Sequence, residues 1–211
     1  ASLKEIHCYQ NNLTSLDVSA CTALENLVCF GNSFSEQDYD DLMCSLVNLE
    51  NRTTGTFQPI QNASDANLNT FANTNSANAK YKNWKVTYYE GGTIPATNGN
   101  FVCPVNMSRY ITFNVIPDST IKIAFMAETP NTAINIVSGD SNYNVIISDT
   151  SYPTTFMNFT AGDSTMIIYG NIKYFNCYEN YTKITGLDAS NNTELIGIDC
   201  YDNSLTTLNV N

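Results

Sequence analysis

The stretch LKEIHCYQNNLTSLDVSACTALENLVCFGN, residues 3–32, contains one short pattern twice. Four of its positions recur 24 − 3 = 21 residues later: Leu3 as Leu24, Ile6 as Leu27, Cys8 as Cys29 and Asn11 as Asn32. The segment LIGIDCYDNSLTTLNV, residues 195–210, carries the same pattern, and an earlier copy begins at Ile172 with a small insertion. Repetition at such a period predicts coils that stack, because one coil cannot bury its apolar side alone.

Each unit reads L-x-x-L-x-C-x-x-N-x-L-x-x-L-x-V, which matches a leucine-rich repeat with Cys at the third leucine position. The L-x-C part alternates apolar and polar residues and therefore predicts a short strand, with Ile6 and Cys8 pointing inward. The Asn is expected to bond the backbone of the neighbouring coil. The repeat cysteines are interpreted as buried free thiols: Cys8, Cys29, Cys177 and Cys200. The sequence leaves the state of three others open: Cys21, Cys44 and Cys103.

Between the two sets of coils the repeat stops. Residues 35–49 predict a helix with Ser35 as N-cap and an apolar stripe of Leu42, Leu46 and Leu49. Strands are predicted at 55–60 and 84–89, with a weaker helix at 67–83, and residues 35–90 as a whole are expected to cap the N-terminal coils, residues 1–34. Residues 91–99, rich in Gly, Pro and Asn, predict a linker.

A run of short alternating strands separated by turn signals follows this linker. They are predicted at 109–116, 120–128, 132–138, 143–148, 154–160 and 164–170. This pattern predicts a small antiparallel β-sandwich over residues 100–170, followed by coils over 171–211. The predicted fold class is α+β, mostly β: a short leucine-rich repeat solenoid with an αβ cap plus a small antiparallel β-sandwich.

The units LTSLDVSACTALENLVC (13–29) and ITGLDASNNTELIGIDC (184–200) resemble those of bacterial cell-surface leucine-rich repeat proteins. The resemblance extends to a sandwich ending like TMIIYGNIKYFNC, a closing helix like YDDLMCSLVNL and a last strand like WKVTYY. It implies a secreted or surface-anchored protein that binds and does not catalyse, and it carries over no catalytic residues.

The order of the parts departs from that family, in which a sandwich precedes the repeats and a cap follows them. This chain runs repeats, cap, sandwich, repeats. Either it is a window from a longer tandem protein, or its terminal coils (172–211) stack on the N-terminal coils (3–34). Such stacking would occur within one molecule or head-to-tail between molecules.

Composition disfavours several function classes. The net charge of −11, from 20 acidic and 9 basic residues, argues against nucleic acid and anionic membranes as partners. No apolar run is long enough to span a bilayer, so membrane insertion is not expected. The single histidine, His7, has no G-x-S-x-G elbow with it, and C-x-x-C pairs are absent. No catalytic residue, metal or cofactor is therefore predicted, and the protein is not expected to be an enzyme.

An aromatic residue follows the repeat Cys in every coil, on the face predicted to be concave and exposed: Tyr9, Phe30, Tyr178 and Tyr201. With His7 and Asp199 beside them, these residues are the predicted ligand-binding surface, because aromatic columns supply rigid contact area. The expected function is extracellular or cell-surface recognition or adhesion, with a host or neighbouring-cell protein or glycan as partner. The alternative is a structural spacer or assembly module without its own ligand, self-associating by head-to-tail stacking of its terminal repeats.

Overall fold

The structure is a computed structural model that describes residues 3–49 and 52–210. The outermost positions of the predicted coil ranges (1–2 and 211) and positions 50–51 of the predicted cap lie outside these residues. The chain forms two compact units, residues 1–103 and 104–211. Strands account for 35% of the residues and helices for 9%, which confirms the prediction of a mostly β fold.

The described residues of the first unit form four strands and three helices. In chain order they are β1 (Glu5–His7), β2 (Asn26–Val28), α1 (Glu36–Ser45), β3 (Gly55–Ile60), α2 (Leu68–Ala72), α3 (Ala77–Lys80) and β4 (Trp84–Tyr88). The four strands form one sheet in the order β1-β2-β3-β4, and all three pairings are parallel. The strands predicted at 55–60 and 84–89 are therefore confirmed, and they extend the sheet begun by the coils.

The register of this sheet follows the sequence repeat. Ile6 pairs with Leu27, Leu27 with Phe57, and Phe57 with Val86. Leu27 and Phe57 are completely buried, whereas Ile6, on the edge strand, is half-buried. Inward-facing apolar residues thus stack from strand to strand, and the burial of each depends on the next strand.

The repeat asparagines tie neighbouring coils together. The Asn32 Nδ2 group donates to the carbonyl oxygen of Cys29 in its own coil (2.8 Å) and to that of Cys8 in the preceding coil (3.0 Å). Its Oδ1 atom accepts the Leu13 backbone N–H (3.1 Å). In the second unit Asn203 likewise donates to the carbonyls of Cys200 and Cys177. The side chain satisfies backbone groups where the chain turns out of the strand.

Helix α1 begins as the sequence predicts and ends earlier. Ser35 is the N-cap, and its side chain and that of Asp38 form a capping box. The helix stops at Ser45, so the predicted stripe is only partly helical: Leu46 is the C-cap, with extended backbone, and Leu49 follows it. Both leucines are buried all the same. The early end is stabilised by Lys82, whose Nζ donates to the terminal carbonyls of Met43 and Cys44. The weaker helix predicted at 67–83 is two short helices, α2 and α3.

The predicted linker, residues 91–99, lies against the first unit. Ile94 is buried in its core, and the backbone of Asn98 and Gly99 donates to carbonyls beside α2. A disulfide joins Cys44, in α1, to Cys103, 59 residues away. It settles two of the three cysteines that the sequence left open, and Cys21 is a free thiol. The four repeat cysteines are free thiols, as predicted, but only Cys29 and Cys177 are buried. Cys8 and Cys200 are half-buried, because they lie in the edge coils.

Ten strands lie in the part of the second unit that the structure describes, residues 104–210. They are β5 (Tyr110–Val115), β6 (Thr120–Ala127), β7 (Thr132–Ser138), β8 (Ser141–Ile147), β9 (Met157–Thr160), β10 (Thr165–Tyr169), β11 (Ile172–Asn176), β12 (Ile184–Asp188), β13 (Gly197–Asp199) and β14 (Thr207–Asn209). The first six correspond to the six strands predicted for residues 100–170. One sheet has the order β14-β12-β5-β10-β7-β8 and the other the order β13-β11-β6-β9.

The terminal coils continue both of these sheets. Strands β11 and β13 are parallel, with Phe175 opposite Ile198, and β12 and β14 are parallel, with Leu187 opposite Leu208. The antiparallel strands β6 and β5 pair with β11 and β12 respectively. Asn180 bonds the backbone N–H and carbonyl of Lys122 in β6, so this strand takes the place of a preceding coil. The coils and the predicted sandwich therefore share one core, to which both sheets contribute.

Candidate functional site

The outer face of the first sheet, opposite its core, carries three aromatic rings in contact. The rings of Tyr9 and Phe30 are stacked, with centroids 4.8 Å apart and planes 9° apart. Tyr89, just after β4, contacts both, at 4.9 Å from Phe30 and 5.7 Å from Tyr9. Phe30 is in contact with both tyrosines and is only 2% exposed, whereas Tyr9 and Tyr89 are exposed. Because consecutive parallel strands lie about 4.8 Å apart, residues at the same repeat position stack ring on ring.

Polar groups border these rings on the coil strands. The Nε2 atom of His7 lies 3.2 Å from Nδ2 of Asn26, on the neighbouring strand, and 3.9 Å from a carboxylate oxygen of Glu5. Gln58, on β3, donates through Nε2 to the backbone carbonyl of Tyr88 at 3.1 Å. This outer face therefore combines an aromatic row with hydrogen-bonding groups that remain partly accessible.

The second unit repeats the stacked pair at the same repeat position. The rings of Tyr178 and Tyr201 are 4.6 Å apart at their centroids, with planes 10° apart. Tyr201 is exposed and Tyr178 half-buried. The edge of the Phe156 ring meets Tyr178 at 5.2 Å, and Lys122 Nζ lies 4.4 Å from the Phe156 centroid and 4.9 Å from that of Tyr178. Cation–π contacts of this kind hold the ammonium group at the aromatic surface.

Part of this outer face is covered by the segment that precedes β9. Tyr152 from this segment meets the edge of Tyr174 at 5.3 Å, and its hydroxyl donates to the carboxylate of Asp199. Asn176, beneath them, is buried, with its Nδ2 group 3.5 Å from the Tyr152 hydroxyl. The hydrogen bond to Asp199 raises the pKa of Tyr152 to about 12, because ionising the phenol would place two negative charges together. Asp199 is thus held in a defined position beside the tyrosine pair.

The orientation of the stacked rings determines which surface they offer. The members of each pair lie face to face along the direction from coil to coil, so the facing surfaces of the rings are hidden. Tyr9 and Tyr201 belong to the edge coils and are 37% and 55% exposed, and one flat face of each ring is turned away from its stacked partner. Rings displayed in this way give a narrow amphipathic strip.

The repeat cysteines do not provide a reactive centre. Burial raises the pKa of Cys29 and Cys177 well above the ordinary value, and the pKa values of Cys8 and Cys200 are raised for the same reason. The nucleophilic thiolate form is therefore disfavoured, and most strongly at the buried Cys29 and Cys177. Within residues 3–49 and 52–210, no three His, Cys, Asp or Glu side chains come together as metal ligands.

The six residues predicted for the ligand surface fall into two groups, one in each unit. Tyr9, Phe30 and His7 lie on the outer face of the first sheet, and Tyr178, Tyr201 and Asp199 lie together in the second unit. Phe30 is too buried to make broad contact, although it supports Tyr9.

The sequence interpretation missed four further contributors: Tyr89, Lys122, Tyr152 and Phe156. Tyr89 was detectable as the residue that ends a predicted strand next to the coils. Tyr152 and Phe156 lie in an irregular segment whose position no periodic pattern indicates.

Comparisons of this chain with protein-family models, with curated proteins and with solved structures found no match. None of the helices in the described part of the chain has the length and apolarity that a membrane span requires.

Proposed function

We propose that this chain is a non-enzymatic extracellular or cell-surface recognition protein that binds a protein partner through the aromatic outer faces of its coils. The observation that carries the proposal is the repeated stacked pair: Tyr9 on Phe30 and Tyr178 on Tyr201, at the same repeat position in both units. Tyrosines supported by a second ring lose little side-chain entropy when they are covered, which is the property of residues that dominate protein interfaces.

We further infer that both sets of coils are turns of a leucine-rich-repeat-like solenoid of the bacterial cell-surface type. The parallel pairing of Ile6 with Leu27 and of Leu187 with Leu208 supports this, since both pairs are separated by one 21-residue repeat. The asparagine bonds from one coil to the next support it as well. Solenoids of this kind present the outward residues of their strands as a binding surface.

The geometry favours a protein over a glycan as the partner. A sugar ring stacks on the flat face of an aromatic side chain, and here the facing surfaces within each pair are already used, so that each pair keeps one unstacked flat face, on Tyr9 or on Tyr201. The phenol edges that remain suit the mixed polar and apolar surface of a protein. Lys122 and Asp199 lie beside the second pair, and Glu179, 3.4 Å from the Lys122 Nζ, adds a second carboxylate. This charged border sets orientation for a partner of complementary charge.

An oxidising location is consistent with the Cys44–Cys103 disulfide. Disulfides persist in secreted and surface proteins and are rare in the reducing cytosol. This feature supports an extracellular or cell-surface setting for the binding activity.

The proposal can be tested with the labelled chain on two arrays, one of extracellular-matrix and host-surface proteins and one of glycans. The face variant replaces Tyr89 and Tyr178 by Ala. The matched control replaces Tyr81 and Tyr181, exposed tyrosines outside the ring contacts described above, by Ala. We expect signals on the protein array that fall at least about tenfold in the face variant, since a buried interface tyrosine contributes 1–2 kcal/mol or more. The control should bind as the unmodified chain does.

Thermal unfolding of both variants separates loss of binding from loss of fold. Binding to glycans alone would contradict the preference for a protein partner. Equal binding by the face variant and the control would contradict the assignment of the surface. The absence of any signal on both arrays would favour the alternative of a structural or assembly module.

A further inference from the structure

Among residues 3–49 and 52–210, each unit has one coil with no neighbouring coil on one side. In the first unit β1 is an edge strand, and in the second unit β13 and β14 are the edge strands of their sheets. Apolar side chains of these coils, at positions that are buried in inner coils, are exposed at the edges: Leu3 in the first unit, and Leu208 and Val210 in the second. An open strand edge with apolar residues beside it is a template for another strand.

The two open coils are the most alike in sequence of any that the chain contains. Residues 195–210 match residues 3–18 at Leu3, Ile6, Cys8, Tyr9, Asn11, Leu13, Thr14, Leu16 and Val18. Every inward-facing position of the repeat is among these matches. Coils of this sequence already stack on one another within each unit. The coil at residues 3–18 therefore offers the coil at residues 195–210 the same kind of apolar surface as a neighbouring coil within one unit.

The backbone groups of the two edges also complement each other. In both units the N–H of the repeat Cys donates to the carbonyl of the residue before the next repeat Cys: Cys8 to Val28 at 2.9 Å and Cys177 to Asp199 at 2.7 Å. The same rule applied once more pairs the N–H of Cys200 with the carbonyl of His7.

Side chains follow the same register. Asn11 already donates to the carbonyl of Cys8, and its second bond, to Tyr9, would be exchanged for one to Cys200, as Asn203 bonds Cys177. The open flat face of Tyr201 would meet that of Tyr9 at about one strand spacing, roughly 4.8 Å. Asp199 would lie beside His7 on the neighbouring strand, where an imidazole N–H can donate to a carboxylate.

We propose that the last coil of one molecule, residues 195–210, stacks on the first coil, residues 3–18, of a second copy. The contact is head-to-tail and parallel, in the register that relates successive coils within each unit. It is heterologous, so it propagates into chains of molecules and does not close as a symmetric dimer. This proposal goes beyond partner recognition by the outer face and does not depend on it.

The test uses two variants that each block one edge. Leu208→Asp places a charge on the 195–210 edge and Leu3→Asp places one on the 3–18 edge. The matched control is Ile146→Asp on β8, which forms the opposite edge of the six-stranded sheet that contains Leu208 on β14. The two side chains are matched in exposure, since Ile146 is 51% exposed and Leu208 is 53% exposed. Sedimentation velocity and light scattering over a wide concentration range measure the mass, and thermal unfolding checks the fold. Val210→Asp serves as a second edge variant if Leu208→Asp does not fold.

We expect the unmodified chain and the Ile146→Asp control to grow in mass with concentration. Each edge variant alone should stay monomeric, with self-association weakened at least about tenfold by loss of one apolar contact and burial of a charge. Mixing Leu208→Asp with Leu3→Asp should restore association, limited to a one-to-one dimer, because only one pair of intact edges remains.

Three results would overturn the proposal. The unmodified chain could stay monomeric at every concentration, as it would if its own coils covered these edges. Either edge variant could associate as strongly as the control, which would place the contact elsewhere. The mixture could fail to form the heterodimer although both variants are folded, which would exclude the head-to-tail geometry.

Discussion

Replacing Asn32 by Ala should destabilise the first unit strongly, whereas the same change at Asn11 should not. Asn32 is buried and makes three hydrogen bonds, to the Cys8 and Cys29 carbonyls and from the Leu13 N–H, between 2.8 and 3.1 Å. Each bond contributes about 1 kcal/mol, and leaving buried backbone groups unpaired adds about 1–3 kcal/mol. We therefore expect a loss of about 3–5 kcal/mol in the free energy of unfolding.

Asn11 occupies the same repeat position in the open coil and serves as the matched control. Its Nδ2 group donates to the carbonyls of Cys8 and Tyr9, and the residue is exposed. Water can replace both bonds there, so Asn11→Ala should cost less than about 1 kcal/mol.

Urea unfolding followed by tryptophan fluorescence measures the free energy of unfolding of the first unit in both variants. Trp84 is the single tryptophan of the chain, and it is buried in the core of the first unit. Its signal therefore reports the first unit even if the two units unfold separately. Equal effects of the two substitutions, or a loss below about 1 kcal/mol for Asn32→Ala, would refute the reasoning that inner-coil asparagines hold the stack together.

Three further predictions concern single contacts. Replacing Cys44 by Ser should lower the free energy of unfolding of the first unit by up to about 4 kcal/mol, because the Cys44–Cys103 bond closes a loop of 59 residues. Urea unfolding followed by Trp84 fluorescence measures this loss, and an unchanged unfolding midpoint would contradict it. Asp199→Asn should bring the pKa of Tyr152 down from about 12 toward its ordinary value of 10.0, in an ultraviolet titration referenced to Tyr152→Phe. Since the native state holds the Tyr152 proton more tightly than the unfolded state does, this hydrogen bond stabilises the fold below pH 10, and its contribution is lost as the pH rises through about 12. Identical titrations of the unmodified chain and of Asp199→Asn would disprove the hydrogen bond. Gly55→Ala should lower the free energy of unfolding by about 1–3 kcal/mol, because the added Cβ would lie 2.7 Å from the Trp84 ring. A calorimetric melting temperature equal to that of the unmodified chain would argue against this close packing.

The sequence was sufficient to predict the mostly β fold and most of the strands. Apolar positions that recur every 21 residues leave one parallel register in which they all face inward, and Ile6 opposite Leu27 is that register. The start of α1 was predictable for a similar reason, because Ser35 and Asp38 form a capping box from local sequence alone. The six strands of residues 100–170 were predictable from alternation and turn residues.

Features that depend on distant partners were not predictable. Alternation shows that β5 and β6 are strands, but it does not show that β12 and β11 pair with them. The Cys44–Cys103 bond depends on residues 91–103 folding back onto the first unit, which a Gly- and Pro-rich composition does not indicate. The end of α1 at Ser45 depends on Lys82, a residue 82 − 45 = 37 positions away.

The site was predictable only in its repeated part. The rule that an aromatic residue follows each repeat Cys identified the stacked pairs Tyr9–Phe30 and Tyr178–Tyr201. The neighbours that complete the surface come from outside the repeats: Tyr152 belongs to an irregular segment. Its position follows from tertiary packing, which no local pattern in the sequence records.

The most direct test of the stacked-coil account is thiol labelling of the native chain, read residue by residue by mass spectrometry. Inner-coil Cys29 and Cys177 are completely buried, whereas Cys8 and Cys200, at the same repeat position in the open coils, are half-buried. We predict that Cys29 and Cys177 are protected until the protein unfolds, while Cys8 and Cys200 react measurably under native conditions. Labelling of Cys29 and Cys177 at the rates found in urea would contradict the account, because the repeat position would then not face a core.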